Sequence, residues 1–240
     1  MAGMRLDKLL THLNCGSRKE VQAFIRAGRV AVDGLSVRDP AAKVDPDTAA
    51  VELDGKRLRY SAQRYFTLNK PAGVFTASRD ERHDTVLELF PEKERRGLFA
   101  VGRLDKDTEG LLLITDDGAL SHALMSPARH VSKLYEAVVE GTLAPDAVDR
   151  FAQGLTLRDE TVCRPANLEI LSEDGEKSVV RVTLHEGKYH QVKRMIAAVG
   201  GLVVGLKRLR LGGLALDPAL APGQFRALTE AELALLQNGE

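Results

Sequence analysis

Hydrophobic positions in the first sixty residues change period twice. Over residues 5–13, Leu6, Leu9, Leu10 and Leu13 fall at i, i+3, i+4 and i+7, which predicts a short amphipathic helix. A second helix follows, opened by the S-x-x-E capping box of Ser17 and Glu20, faced by Val21, Phe24 and Ile25, and stopped at Gly28. The period then falls to two. Val30 and Val32, the turn pair Asp33-Gly34 and Val37 predict a β-hairpin, and the signal recurs at Val51, Leu53, Asp54-Gly55 and Leu58. A polar stretch at 61–64 reads as a linker between a domain over 1–60 and a larger one over 65–240. In the larger domain, strands are expected at 65–69, 110–115, 134–139, 166–171 and 179–184. Helices are expected at 119–125, 145–153, 190–199 and 229–237, the last opened by a second capping box of Thr229 and Glu232. Strands and helices do not alternate regularly, so the fold class expected is α+β with a mainly antiparallel mixed sheet.

Composition adds little until it is resolved along the chain. Lys plus Arg and Asp plus Glu are equal at 34 each, and the high overall pI of many nucleic-acid binders is absent. Residues 1–30, however, hold six cations (Arg5, Lys8, Arg18, Lys19, Arg26, Arg29) against two anions, and residues 181–210 hold seven cations against Glu186 alone. Two such clusters in a neutral chain point to a polyanionic partner. Cys15 and Cys163 stand far apart with no CxxC or histidine spacing, which argues against a disulfide framework or a zinc site. No run of apolar residues reaches the ~20 needed to span a bilayer, and the N-terminal residues lack the apolar core of a signal peptide. A cytoplasmic protein without membrane association is expected.

One loop is a candidate for chemistry. Gly102 and Gly110 bracket Arg103, Asp105, Lys106, Asp107 and Thr108, and the segment runs directly into the apolar strand Leu111–Ile114. A carboxylate at the mouth of a buried strand is held rigidly, although Asp and Gly are also ordinary turn residues; Asp116-Asp117-Gly118 reads as such a turn. A carboxylate in an enclosed pocket is driven to its neutral form by desolvation unless a cation lies nearby, so an ionised Asp105 demands a lysine or arginine partner. In the predicted helix 190–199, Val192, Met195, Ile196 and Val199 form the apolar stripe, Lys193 lies on its flank and Arg194 nearly opposite. Lys193 can therefore reach inward while Arg194 faces outward. Tyr135 shares one face of its strand with Ala137 and Val139.

The motifs RLDKLL at 5–10, GSRKEV at 16–21 and AGRVAVDG at 27–34 resemble the S4 RNA-binding domain. GRLDKDTEGLLLITDDG at 102–118, NKPAG at 69–73, KLYEA at 133–137 and EGKYHQVKRM at 186–195 resemble the RsuA branch of bacterial pseudouridine synthases, and the likeness spans essentially the whole chain. The resemblance implies isomerisation of uridine to pseudouridine in small-subunit (16S) ribosomal RNA, free or in an assembly intermediate with ribosomal proteins, with no cofactor and no metal; a monomer is the default expectation. It implies that Asp105 is the essential carboxylate, attacking C1′ or taking the 2′ proton, that Lys193 pairs with it, and that Tyr135 stacks on the target uracil. It further implies that Arg103 braces the gap left by the flipped nucleotide, and the polar loop 76–84 is itself expected to close over the RNA. Lys188, His190, Gln191, Arg194 and Arg208 become expected RNA contacts, as do Arg5, Lys8, Arg18, Lys19, Arg26 and Arg29 in the first domain; Asn69 and Lys70 are expected to be mainly structural with a possible contact to the site. The alternatives are the same reaction on large-subunit (23S) RNA, a non-catalytic RNA-binding or assembly protein, and a glycosidase, which would want two carboxylates ~5–10 Å apart.

Overall fold

The computed structural model describes residues 3–13, 15–46, 48–58, 63–77 and 83–238. Residues 59–62 at the domain junction and 78–82 of the loop 76–84 lie outside the described residues. The chain divides into two compact units, Met1–Arg64 and Tyr65–Glu240.

In the first unit the elements are β1 (Met4–Arg5), α1 (Leu6–His12), α2 (Arg18–Arg26), β2 (Val30–Val32), β3 (Leu35–Ser36), β4 (Lys43–Val44), β5 (Val51–Leu53) and β6 (Lys56–Arg57). Strand β1 pairs with β4, and the other four form a sheet in the order β3-β2-β5-β6. Both halves of the Ser17–Glu20 capping box are present at the start of α2. The two hairpins turn on Asp33-Gly34 and Asp54-Gly55, where both residues of each pair have positive φ, as two-residue hairpins that match strand twist require. Leu6, Leu9, Leu10, Val21, Ile25, Val30, Val44 and Val51 form the core.

The second unit contains β7 (Tyr65–Lys70), α3 (Glu92–Arg95), β8 (Phe99–Val101), β9 (Glu109–Thr115), α4 (Gly118–Met125), β10 (Lys133–Glu140), α5 (Ala147–Gln153), β11 (Leu155–Thr156), β12 (Val162–Cys163), β13 (Asn167–Glu173), β14 (Lys177–Leu184), α6 (Gln191–Ala198), β15 (Leu202–Leu211), β16 (Leu214–Ala215), β17 (Phe225–Ala227) and α7 (Glu230–Asn238). Its main sheet runs β13-β14-β10-β15-β9-β7-β17, with β8 on β9 and β16 on β15. Every pairing is antiparallel except β15 with β9, so the mixed, mainly antiparallel α+β class holds.

Strand β9 reads as an unbroken apolar run because both its faces are covered. Leu112 and Ile114 join a core with Leu68, Ala137, Val182, Phe151 and the α6 residues Val192, Met195 and Ile196. Leu111 and Leu113 pack on the opposite side with Val101, Leu120, Leu124, Leu211 and Leu236. Strand β10 buries Tyr135, Ala137 and Val139 on one face only, as its alternation predicts. The Thr229–Glu232 box opens α7, with Glu232 N–H donating to Thr229 Oγ1 at 3.2 Å and Thr229 N–H to Glu232 Oε2 at 2.8 Å. The sequence reading passed over β15, the longest strand. Its alternation is broken by two register shifts against β10 and by Gly205, Lys207 and Arg208.

Candidate active site

The loop 102–108 joins β8 to β9 and is pinned from below by the segment after β7. Lys70, with no exposed surface, donates from Nζ to the carbonyls of Thr108 at 2.8 Å, Pro71 at 3.0 Å and Lys106 at 3.2 Å. Gly73 N–H donates to Lys106 O at 2.8 Å. Thr76 Oγ1 donates to Leu104 O at 2.8 Å and accepts from Leu104 N–H at 3.2 Å. Three anchors thus bear on residues 104, 106 and 108 and leave Asp105 between them. Where the loop enters β9, Gly110 has φ +98° and a Cβ there would stand 2.3 Å from the carbonyl oxygen of Arg208. The parallel pairing of β9 with β15 is therefore possible only with glycine at this position.

Asp105 lines a cleft with Arg103, Leu104, Thr108, Tyr135, Leu184, Glu186, Lys188, His190, Gln191 and Leu206. Its side chain is 30% exposed, with Oδ2 3.4 Å from Lys193 Nζ and Oδ1 3.5 Å from His190 Nε2. The sequence reading placed Lys193 on the inward flank of α6, and Lys193 does reach Asp105. Its hydrogen bond, however, goes to Asp107 Oδ1 at 2.6 Å, and that bond holds the Asp107 carboxyl below its ordinary range, against the opposing effect of burial. Tyr135 comes to the cleft from β10, opposite Val182 of β14 and Arg208 of β15.

The rim is organised around Glu186 and Gln191. Gln191 donates from Nε2 to Glu186 Oε1 at 2.6 Å and accepts Lys188 N–H at 2.8 Å. Burial alone would raise the Glu186 carboxyl, but hydrogen bonds from Arg164 N–H, Gln191 and Lys188 outweigh it and hold the group below its usual range. Lys188 Nζ also donates to Val162 O. His190 precedes α6 with φ +47°, a left-handed conformation uncommon for a side chain larger than glycine.

Not every expected contact faces outward. Arg208 is 2% exposed, and its Nε donates to Leu111 O at 2.8 Å inside the sheet; its expected place among the RNA contacts is corrected, because pairing with the apolar β9 carries its side chain into the core. Asn69 and Lys70 are buried too and do not line the cleft. Asn69 donates from Nδ2 to Leu220 O at 2.7 Å, and burial pushes the Lys70 ammonium down to about 8, partly opposed by the charges of Asp107, Asp105 and Glu109. Arg194, expected to face outward, is half-buried and tied to Asp159 and to Tyr189 O. Asp117 belongs to a helix start: Oδ1 accepts Leu120 N–H at 3.0 Å and Oδ2 accepts the Tyr65 hydroxyl at 2.8 Å. Leu104, Leu184, Leu206 and Glu186 were missed as cleft residues; the first three carry no chemical signal, and Glu186 was counted only as a charge.

In the first unit, Asp7 is fully buried and takes a two-point hydrogen bond from Arg5 at 2.9 and 3.0 Å, another from Gln22 at 2.9 Å, and lies 3.7 Å from Arg18. The Arg5 guanidinium above all holds the Asp7 carboxyl well below the usual carboxylate range, against burial. Arg29 is paired in the same two-point manner with Asp54. Lys8, Lys19 and Arg26 are exposed.

Comparison with known proteins agrees with this arrangement. The RNA pseudouridylate synthase family model matches residues 64–198, and the S4 domain model matches residues 4–49. An uncharacterized RNA pseudouridine synthase of Bacillus subtilis, YtzG, is 47% identical over 98% of this chain and 99% of its own length. Ribosomal small subunit pseudouridine synthase A of Escherichia coli is 46% identical over 96% of this chain and 99% of its own. A crystal structure of a pseudouridylate synthase superposes with a TM-score of 0.68 at 34% identity, covering 97% of this chain and 99% of that one. With both family models matched and relatives matched end to end, this chain belongs to the RNA pseudouridylate synthase family and carries an S4 domain ahead of the synthase domain.

Proposed function

We propose that the chain converts a uridine of small-subunit ribosomal RNA to pseudouridine, with Asp105 as the reacting carboxylate. One observation carries this reading: Asp105 stands in a cleft with Tyr135, its two oxygens 3.4 Å from Lys193 Nζ and 3.5 Å from His190 Nε2. The reaction breaks N1–C1′, turns the freed uracil, joins its C5 to C1′, releases the C5 proton and leaves N1 to take up one, so that the product is an isomer of the substrate. An ionised carboxylate serves the first step, and the Lys193 ammonium stands 3.4 Å from it. A paired uridine cannot present C1′ to it, so the nucleotide leaves its stack at a cost of ~a few kcal/mol, and Tyr135 offers a ring to receive the base. Arg103, exposed beside Asp105, is the residue to brace the vacated position.

The small-subunit assignment draws on the likeness to the Escherichia coli enzyme of that name. A cytoplasmic location, where a protein acting on that RNA would work, belongs to the same proposal. A monomer is part of the same proposal, supported by Asp105, Lys193, His190 and Tyr135 meeting within one chain. Lys8, Lys19, Arg26 and Arg18 of the S4 domain, and Arg103 and Lys188 of the synthase domain, are the proposed phosphate contacts.

The test treats ribosomal RNA from cells lacking this protein with carbodiimide and maps reverse-transcriptase stops before and after adding pure enzyme. A new stop in small-subunit RNA is expected with the native chain, and none with Asp105→Asn, which still binds RNA. A stop confined to large-subunit RNA moves the substrate; none in either RNA overturns the catalytic reading. Equal loss of binding and activity in Asp105→Asn would return Asp105 to a structural role. Offering free RNA and partly assembled particles side by side tells which is the substrate.

A further inference from the structure

Tyr189 is 75% exposed, the most exposed of the large hydrophobic side chains among the described residues. Its place is not incidental. Its ring stacks on that of His190, with centroids 3.8 Å apart and planes 21° from parallel. His190 in turn lines the cleft and brings Nε2 to 3.5 Å from Asp105 Oδ1. The three groups form a row in which the imidazole touches the carboxylate on one side and the phenol on the other.

The row is fixed at both ends of its backbone. His190 holds φ +47°, a left-handed conformation that strains a residue with a side chain and persists only where the surroundings enforce it. The Tyr189 carbonyl accepts a hydrogen bond from Arg194 Nη1 at 3.3 Å, and Arg194 is held by Asp159. A tyrosine with one face on an imidazole and the rest in solvent gains little stability for the fold. It presents instead a flat, preorganised ring one aromatic layer from the reacting carboxylate, beside the rim cation Lys188.

We propose that Tyr189 is a stacking platform for an unpaired base of the substrate RNA, the nucleotide adjoining the flipped uridine. A uridine drawn out of its stack leaves its neighbour with an uncovered face. Aromatic rings recognise such faces whatever the base, contributing ~1–3 kcal/mol each. The flanking nucleotide would then be held in line with the cleft through Tyr189 and His190, and sequence preference at that position would be weak. This inference rests on the RNA substrate proposed above.

Two measurements on the full chain test it and separate its failure from failure of that reading. The first uses a uridine-rich single-stranded oligoribonucleotide carrying one 2-aminopurine, whose fluorescence is quenched on stacking; it needs no turnover. Native protein and Tyr189→Phe should quench it, while Tyr189→Ala and Tyr189→Leu should lose the quench and bind about 5- to 150-fold more weakly, the range that ~1–3 kcal/mol implies. The second follows modification of small-subunit RNA: Tyr189→Ala should raise KM by the same factor with kcat nearly unchanged, and an abasic nucleotide beside the mapped uridine should erase the difference between native and variant. Quenching and affinity retained in Tyr189→Ala would overturn the proposal. So would Tyr189→Leu behaving like Tyr189→Phe, which would reduce the ring to apolar surface. If native protein quenches the probe but modifies no ribosomal RNA, the substrate reading fails and the platform stands.

Discussion

Lys70 offers the sharpest test of how the chain holds Asp105 in place. Its ammonium is out of contact with solvent and spans three carbonyls, two of them in the loop that carries the carboxylate. The fall from 10.5 to about 8 corresponds to a penalty of about 3 kcal/mol on the charged form. Replacing Lys70 with Met keeps the stem and removes the charge. That relieves the penalty but strands the carbonyls of Thr108 and Pro71, at ~1–3 kcal/mol each; Lys106 O keeps the Gly73 N–H. Stability should therefore fall by no more than about 3 kcal/mol, while the loop loses its clamp. A displacement of ~1 Å at a reacting group lowers rates about 100-fold, so we expect kcat for tritium release from C5-labelled RNA to drop by that order with KM changed less than threefold. Linkage gives a second signature. With the folded value near 8 and the unfolded one near 10.5, the unfolded chain binds more protons between those limits. Stability of the native protein should then rise as pH climbs from 8 towards 10.5, by up to about 3 kcal/mol, and Lys70→Met should lack the rise. A Lys70→Met variant with native kcat and a normal melting temperature would refute the clamp.

Lys193→Met should lower kcat about 100-fold with little loss of stability, and the Asp107 carboxyl, no longer bonded to the ammonium, should titrate nearer its ordinary 3.8 by NMR; Lys193→Arg should recover part of the rate. Gly110→Ala combines φ +98° with a Cβ 2.3 Å from Arg208 O and should destabilise the synthase domain by roughly 3 kcal/mol or more in urea melts. Asp7→Asn should destabilise the S4 domain by about 2–4 kcal/mol, with Arg5 exposed enough to soften the loss. Because the Asp7 value is lowered by folding, its contribution is complete above about pH 4 and fades as pH falls through the acid range, a fading that Asp7→Asn should not show. If Lys8, Lys19, Arg26, Arg103, Lys188 and the loosely held Arg18 carry the phosphate contacts, the logarithmic salt dependence of RNA binding should have a slope of about −4 to −5; a slope near −8 would mean that the other paired and buried cations contribute as well.

What could be read from the sequence follows from how local each signal is. The capping boxes at Ser17 and Thr229, the Asp-Gly hairpins and the buried run of β9 are set by neighbours within a few residues, and all were legible. The inward direction of Lys193 was legible because helical periodicity fixes the direction of a side chain relative to an apolar stripe, while its pairing with Asp105 was implied only by the family resemblance. Strand β15 was not. Its register is imposed by β10 on one side and β9 on the other, and its polar residues at 207, 208 and 210 mask the alternation. The misplacement of Arg208 follows directly, since a surface arginine and one threaded between two strands look alike until the partners are known. Thr76 and Gly73 were invisible for the same reason: their bonds join segments about thirty residues apart.

The neutrality of the chain and the loose geometry of Asp105 have a common physical origin. Arg5, Arg29, Arg194, Lys188 and Lys193 each stand against a carboxylate, which fixes the rotamer of a long side chain but lowers its net attraction for phosphate. At the site this pairing protects the carboxylate. Lys193 donates its hydrogen bond to Asp107 at 2.6 Å and stands 3.4 Å from Asp105. Coulomb attraction falls only as 1/r, so at 3.4 Å it keeps about three quarters of its strength at 2.6 Å, whereas an N–H···O hydrogen bond has weakened beyond its usual 3.2 Å limit. Asp105 thus feels the ammonium as a nearby charge, while the hydrogen bond itself goes to Asp107. A cation bonded directly to Asp105 would stabilise the ground-state carboxylate and would have to be released before reaction. Asp107, 72% exposed and outside the cleft lining, takes up that bond, and the Asp105 oxygens are left free of it.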